Sequence, residues 1–274
     1  MEDFAGSMAQ GSVLFADSVD WEVHAGPIEI TDDIPAIVGR LRSGSEDEQL
    51  SAARALTVLS SEGIGSTDVR ACRTEIVAAG GHDALLKFVS DKASSNGATT
   101  EVTSTLAREA ATAALANLTA QNDSRALVAS NGGIPILVAL IDGFKHSDEL
   151  TMYACGALGN LARENRVCQD EIAAAGGISA LIALARAAGI EEDVGTKKTG
   201  AAASGAAAAG VANDEDDEEE EEDTGLELNA SIALRKLAIG HAANYAAMRD
   251  ELSADDFRYF LHGELPPPPD RGRE

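Results

Sequence analysis

Three segments of the chain share one pattern, in which a run of small residues ends in two glycines and an apolar stripe follows. They read "IVAAGGHDALLKFV", "VASNGGIPILVAL" and "IAAAGGISALIALA", with the glycine pairs at 80–81, 132–133 and 176–177. A helix that ends and turns sharply needs a residue that tolerates positive φ just past its end, and glycine does so at the lowest cost. The pattern therefore predicts a helix, a glycine corner and a second helix, repeated along the chain.

The segment after each corner has the periodicity of a helix with one buried face. Its apolar residues fall at i, i+3, i+4 and i+7, a spacing that places all four on one side of a helix. The matching sets are Ile34, Ile37, Val38 and Leu41; His82, Leu85, Leu86 and Val89; Ile134, Leu137, Val138 and Ile141; and Ile178, Leu181, Ile182 and Ala185. Only His82 departs from the apolar pattern.

A third element, Ala-Leu-x-x-Leu, recurs four times and follows alanine-rich sequence. Its first leucines are Leu56, Leu115, Leu158 and Leu234. The sequence separation between Leu115 and Leu158 falls in the range of roughly 40–47 residues that is typical of two- and three-helix solenoid repeats. The longer separations on either side contain polar stretches around 61–69 and 91–101 and the low-complexity stretch 187–225. We therefore expect four repeats with insertions at their turns.

A short helix ending in Gly-Gly, then "IPILVALI", then "ACGALGNLA", resembles the armadillo repeat. The resemblance covers roughly 34–261 and is closest in "NGGIPILVALIDGFKHSDELTMYACGALGNLAREN". It implies an all-α, right-handed solenoid of about four three-helix repeats over 31–262. The acidic low-complexity loop 187–225 is then a disordered insertion in the last repeat. Residues 1–30 are predicted to be an irregular or capping segment, and 263–274 a proline-rich tail.

The resemblance also implies where a ligand would bind. In the family, the third helices line a concave groove, and an Asn near the helix end hydrogen-bonds the backbone of an extended peptide. Asn117 and Asn160 match that position, whereas Val58 and Lys236 stand there in the other two repeats. An amide side chain suits this role because it donates and accepts at once. The alternative is an Asn that only hydrogen-bonds within its own last turn.

The predicted groove set comprises these positions, those one turn later, and two residues nearer the helix starts. It is Asn117, Asn160, Gln121, Glu164, Glu109, Met152, Lys236 and Glu62. The importin-α-like pattern has Trp one turn before the Asn, where this chain has Arg54, Ala113, Gly156 and Ile232. Without those tryptophans we expect a smoother, shallower groove with less affinity from aromatic residues.

Charge and residue types limit the function classes. The formal net charge is −25, and 214–223 is an unbroken acidic run. Such a chain repels phosphate backbones, which argues against nucleic acid or anionic membranes as direct partners. The 3 cysteines have no metal-type spacing, and their apolar neighbours predict reduced thiols. No catalytic, metal-binding or cofactor-binding motif is present, so we expect no enzyme activity, metal or cofactor.

These observations predict a non-catalytic adaptor or scaffold of the cytoplasm, or of the nucleus. Its groove would bind an extended peptide or a basic segment of a protein partner. One alternative is a structural subunit of a hetero-complex, docked through its end repeats and the N-terminal arm with Trp21, Phe257 and Tyr259 as anchors. Another is a regulator or chaperone of basic proteins that acts through the acidic loop.

Overall fold

The computed structural model describes residues 33–61, 68–94, 101–142, 147–193 and 225–262, and all regular secondary structure within these ranges is helical. The helices are α1 (Ile34–Ser43), α2 (Glu46–Ser60), α3 (Val69–Ala78), α4 (Gly81–Ser94), α5 (Glu101–Thr119), α6 (Asn122–Ser130), α7 (Gly133–Ile141), α8 (Asp148–Ala162), α9 (Arg166–Ala174), α10 (Gly177–Asp193), α11 (Gly225–Ala238), α12 (Ala242–Glu251) and α13 (Ala254–His262).

The helices follow a three-helix order. The sets α3–α5, α6–α8 and α9–α11 each contain a first, a second and a third helix, and α1–α2 supply a second and a third. The third helices α2, α5, α8 and α11 pack side by side in one row, which we call the third-helix row, and each second helix packs against the third helix of its own repeat. The predicted all-α solenoid of four repeats is confirmed.

Side-chain caps mark where several helices begin. An Ncap side-chain oxygen accepts a backbone N–H that has no partner inside the helix, which stabilises the first turn. Asp33, Ser45, Asp68, Ser147 and Asn165 cap α1, α2, α3, α8 and α9 in this way. The third helices α2 and α8 therefore start at defined residues, which fixes the register of side chains along the row.

The first glycine of each pair has the backbone conformation that the sequence predicts. Gly80, Gly132 and Gly176 have φ of 73°, 75° and 82°. A β-carbon is strained in this left-handed region, whereas glycine is not. These three corners connect the first helix of a repeat to its second helix.

The second glycine of each pair is required for a different reason, because there is no room for a β-carbon at its position. A β-carbon at Gly133 would lie 2.7 Å from Val128 Cγ1 and 2.6 Å from the Val128 carbonyl oxygen. The same clash, at 2.5 and 2.6 Å, would occur between Gly81 and Ile76 Cγ2 and between Gly177 and Ile172 Cγ2. The start of each second helix therefore packs directly onto a β-branched side chain of the first.

The apolar stripes form the core. All residues of the four predicted stripes are buried, including His82, and the leucines of the Ala-Leu-x-x-Leu elements are buried except Leu59, which is partly exposed. Burial of such side chains is the main favourable contribution to the free energy of folding. The core is built from Ala, Leu, Ile and Val, as the composition predicts.

The last repeat contains the predicted insertion and is followed by two further helices. α10 continues to Asp193, so the first residues of the predicted 187–225 insertion are helical; residues 194–224 lie outside the described ranges. After α11, helix α13 packs against α11, and Arg235 Nε donates to the carbonyl oxygen of Phe260 at 2.7 Å. The segments 1–30, with Trp21, and 263–274 also lie outside the described residues.

Candidate functional site: the third-helix groove

The candidate groove is the face of the third-helix row that carries Val58, Asn117, Asn160 and Lys236. Each of these residues lies near the C-terminal end of its helix, at the same register. Asn117 and Lys236 are half-buried, and Asn160 is 9% exposed. The fold thus brings together residues that are far apart in sequence, and we call this surface the groove face.

The two predicted asparagines hydrogen-bond the preceding third helix rather than their own last turn. Asn117 Nδ2 donates to the Thr57 carbonyl oxygen at 3.4 Å and to Ser60 Oγ at 3.3 Å. Asn160 Nδ2 donates to the Ala116 carbonyl oxygen at 3.2 Å. Each amide therefore connects two neighbouring third helices. Because an amide has two N–H donors and an acceptor oxygen with two lone pairs, each asparagine keeps hydrogen-bonding capacity for a ligand.

Lys236 contacts the same network from the next repeat. Its Nζ donates to Asn160 Oδ1 at 3.4 Å. Burial, together with the nearby charges of Arg163 and Arg125, lowers the pKa of Lys236 to about 8. A shift of this size, with a defined structural cause, is typical of functional sites.

Arg125 and Gln169 hold the ends of third helices and were missed by the sequence analysis. Arg125 Nη1 donates to the carbonyl oxygens of Arg163, at 2.7 Å, and Asn160, at 3.4 Å. Gln169 Nε2 donates to the carbonyl oxygens of Lys236 and Ile239 at 2.9 and 3.1 Å. Both residues stand seven positions before the first glycine of their pair, so the repeat register was the signal that could have found them.

The predicted residues one turn after the asparagines lie at the corner that follows each third helix. Gln121 is half-buried, and its Nε2 donates to Thr74 Oγ1 at 3.4 Å. Glu164 is exposed and has φ of 56°, a left-handed conformation that is uncommon outside glycine. Gly240, at the matching corner after α11, has φ of 69°. Glu62 lies outside the described residues.

Glu109 lies near the middle of α5 and Met152 near the start of α8, each about two turns before the asparagine of its helix. Glu109 is buried and accepts a hydrogen bond from Ser147 Oγ. Met152 is half-buried and packs with Ala113 and Tyr153 in a small apolar cluster separate from the main core. Burial and the nearby charge of Glu109 raise the pKa of Tyr153.

The positions one turn before the register residues carry small or aliphatic side chains in three of the four repeats. Ala113 and Gly156 are buried, Ile232 is half-buried, and Arg54 is 8% exposed. Burial lowers the pKa of the Arg54 guanidinium. In the middle of the row, the groove face is therefore built from small side chains, without aromatic slots at these positions.

Within the part of the chain that the structure describes, no group of three or more His, Cys, Asp and Glu side chains could hold a metal ion. No single described helix is both long and apolar enough to cross a bilayer; α6 with α7, and α9 with the first part of α10, pass that test only as pairs bent by 85° and 74°.

Comparisons with known proteins agree with this geometry. The family model described as Armadillo/beta-catenin-like repeat matches residues 121–163, which span α6, α7 and α8. No curated protein matches the sequence. Among solved structures, a designed armadillo repeat protein is 21% identical with a TM-score of 0.55, and covers 80% of this chain and 70% of its own.

A second designed armadillo repeat protein was solved in complex with the peptide (KR)4. It is 21% identical with a TM-score of 0.57, and the alignment covers 85% of this chain and 75% of that protein. An engineered protein has 22% identity, a TM-score of 0.55, and coverage of 80% and 68%. At these identities the likeness shows the fold. Residues 121–163 are therefore an armadillo repeat, and the chain that contains it folds as an armadillo solenoid.

Proposed function

We propose that the protein is a non-catalytic interaction module that binds an extended peptide segment of a partner protein along the groove face. The observation that carries this proposal is the shared register of Asn117 and Asn160 in adjacent third helices, where each amide is held by a hydrogen bond to the preceding third helix. Proteins of the armadillo fold typically bind other proteins, and a designed relative was solved with a peptide.

The contacts of the asparagines support this role physically. A side chain already fixed by one hydrogen bond loses little further conformational freedom when a ligand binds, so pre-organised groups bind more tightly. Asn160 is held on two sides, by Ala116 and by Lys236. An amide in this position satisfies a peptide unit without selecting its side chains, so sequence selectivity must come from neighbouring residues.

The experiment is selection of peptides from a displayed library, followed by photo-crosslinking from single positions. A photoreactive amino acid is introduced at Val58, a register residue of the groove face, or at Met152, nearer the start of α8 in the third-helix row. The matched control positions are Asn122 and Val167, which are exposed on the first helices α6 and α9. We expect selected peptides to crosslink from Val58 and Met152 and not from the two control positions.

Crosslinks that form only from Asn122 or Val167 would show that ligands bind the outer layer, and the groove proposal would be wrong. A library that yields no binding peptide at all would also contradict it. The unfolding midpoint of each labelled variant is measured in parallel, so that a loss of crosslinking through misfolding is recognised.

A further inference from the structure

Three cationic side chains meet at one end of the groove face, around the C-terminal end of α8. Arg125 Nη1 contacts the carbonyl oxygens of Arg163 and Asn160, and Lys236 Nζ contacts Asn160 Oδ1. Arg163 Nη2 donates to the carbonyl oxygen of Ala120 at 2.9 Å, at the end of α5. We call Arg125, Arg163 and Lys236 the basic corner.

The basic corner has no counter-ion among the described residues. The ion pairs between described residues lie elsewhere, so no carboxylate oxygen of the described residues comes within 4.0 Å of these three side chains. Their hydrogen-bond partners among the described residues are neutral carbonyl and amide oxygens. The negative charge of Glu164 acts on Arg125 and raises its pKa, but this carboxylate is exposed to solvent.

Placing like charges together in a partly buried site costs free energy unless an anion compensates for them. The cost is visible in the lowered pKa of both Lys236 and Arg125, to which burial and the neighbouring arginines contribute. Arg125 is 6% exposed and acts through its charge, whereas Lys236 and Arg163 are half-buried and keep part of their surface in solvent. Lys236 has three N–H donors, and one contact uses one of them.

We propose that the basic corner binds an acidic segment of a partner protein, with a carboxylate of that segment placed against Lys236 Nζ and the Arg163 guanidinium. The proposal rests on the proposed groove function and names the chemistry of its ligand. A carboxylate fits because charge-assisted hydrogen bonds from Lys and Arg to an anion are shorter and stronger than those to neutral oxygens.

The proposed ligand is acidic, whereas the negative net charge of the protein favours basic ligands. The formal charge of −25 attracts basic partners at long range, but exposed charges farther apart than about 8 Å are largely screened at physiological ionic strength. Three cations within one corner dominate the potential that a bound segment meets there. A basic side chain would be repelled at this end of the groove face.

The test uses the full chain and a fluorescent peptide of glutamates as the probe, with a glutamine peptide of equal length as the neutral reference. Binding is followed by fluorescence anisotropy for the wild-type protein, Lys236→Gln, Lys236→Arg and the control Lys87→Gln. Lys87 is exposed on the second helix α4, so its substitution removes the same charge far from the groove face.

We expect Lys236→Gln to weaken binding of the glutamate probe about tenfold, as loss of one charge-assisted hydrogen bond implies. Lys236→Arg is expected to retain most of the affinity, and Lys87→Gln to change it less than about twofold, since exposed charges contribute little. The proposal is overturned if Lys236→Gln and Lys87→Gln have equal effects, or if the glutamine peptide binds as tightly as the glutamate probe. Should Lys236→Gln fail to fold, Lys236→Met keeps the apolar stem and answers the same question.

Two further experiments distinguish failure of this inference from failure of the proposed groove function, and a partner's acidic segment from this chain's own acidic run. If library peptides crosslink from Val58 and Met152 but the glutamate probe does not bind, the groove function stands and the acidic-ligand inference is overturned.

In the second experiment, the acidic residues of 214–223 are replaced by Asn and Gln. Affinity within about threefold of wild type supports a partner segment. A gain of about tenfold would show that this chain's own acidic run occupies the corner, since a tethered segment competes at high effective concentration, and would overturn the proposal.

Discussion

Lys236 Nζ lies 3.4 Å from Asn160 Oδ1, so the register residues of α11 and α8 contact each other across the third-helix row. Asn160 in turn donates to the Ala116 carbonyl oxygen on α5, and Asn117 donates back to Thr57 and Ser60 on α2. Hydrogen bonds at or beside this register therefore connect each of the four third helices to its neighbour in the row. The same side chains therefore stabilise the packing of the third helices and would contact a ligand.

The lowered pKa of Lys236 predicts that stability depends on pH above neutrality. Its pKa falls from 10.5 to about 8 in the native protein. Between these values the unfolded chain binds more protons than the native one, so the free energy of unfolding rises with pH, by at most about 1.4 kcal/mol per pH unit for one group. We expect the urea-unfolding free energy of Lys236→Met to lack this rise. Lys87→Met serves as the control and should retain it; equal slopes in all three proteins would contradict the prediction.

The same titration predicts a pH-dependent affinity for the glutamate probe. As pH rises through about 8, Lys236 loses its charge, so binding of an acidic ligand weakens. The charge of Lys236→Arg persists, because an arginine side chain stays protonated. Anisotropy titrations across this range should show a falling affinity for wild type and a flat one for Lys236→Arg. A parallel fall in both would assign the effect to other groups.

Replacement of the asparagines is predicted to affect both binding and stability. Asn117→Ala and Asn160→Ala each remove inter-helix hydrogen bonds, worth about 0.5–1.5 kcal/mol apiece. We expect the larger loss for Asn160→Ala, because Asn160 is more buried than Asn117 and its replacement leaves Lys236 Nζ without its oxygen acceptor. Asn122→Ala, on the exposed start of α6, is the matched control. Urea unfolding gives the ranking, and equal losses for all three variants would contradict it.

Gly133→Ala is predicted to destabilise the protein through a clash. The added β-carbon would lie 2.6 Å from the Val128 carbonyl oxygen, and overpacking of this kind costs about 1–3 kcal/mol. Gly39 is the matched control, since it lies inside α1 with no atom within 4 Å of an added β-carbon. Gly39→Ala should stabilise by about 0.5–1 kcal/mol, because alanine favours the helix. If both variants raised the free energy of unfolding, the surrounding structure would have shifted to relieve the clash at Gly133.

The cysteines predict slow thiol labelling of the native protein. All three are free and buried, and burial raises the pKa of each thiol. Because the thiolate is the reactive form, alkylation should be slow and should begin at Cys72, which is 7% exposed against 0% for Cys155. Mass spectrometry after timed alkylation gives the order, with a urea-unfolded sample as the fully reactive reference. Fast labelling of Cys155 in the native protein would be inconsistent with the core.

The fold could be predicted because its signals are local and repeated. The buried stripe of Ile134, Leu137, Val138 and Ile141 follows from periodicity, and the positive φ of Gly132 follows from its place after a helix. The role of the second glycine could not be predicted. It depends on the angle at which α7 packs on Val128, which only the assembled corner determines.

The groove face could be predicted only in part. Periodicity places Asn117 and Asn160 at one register, but their partners on the preceding helix depend on how far apart neighbouring repeats pack. The basic corner was missed because Arg125, Arg163 and Lys236 come from three different helices or corners, and one of them follows the long insertion. No spacing rule within one repeat connects them.

The helix α13, which packs against α11, marks the end of the third-helix row in the described chain, and this has a consequence for ligand length. Neighbouring helices pack about 8–10 Å apart, so four of them span about 24–30 Å between the first and last axes. An extended peptide advances about 3.3 Å per residue, which gives a footprint of about seven to nine residues. The length of the row therefore sets the length of peptide that can bind along it. Affinity should rise as the peptide is lengthened to that size and then level off.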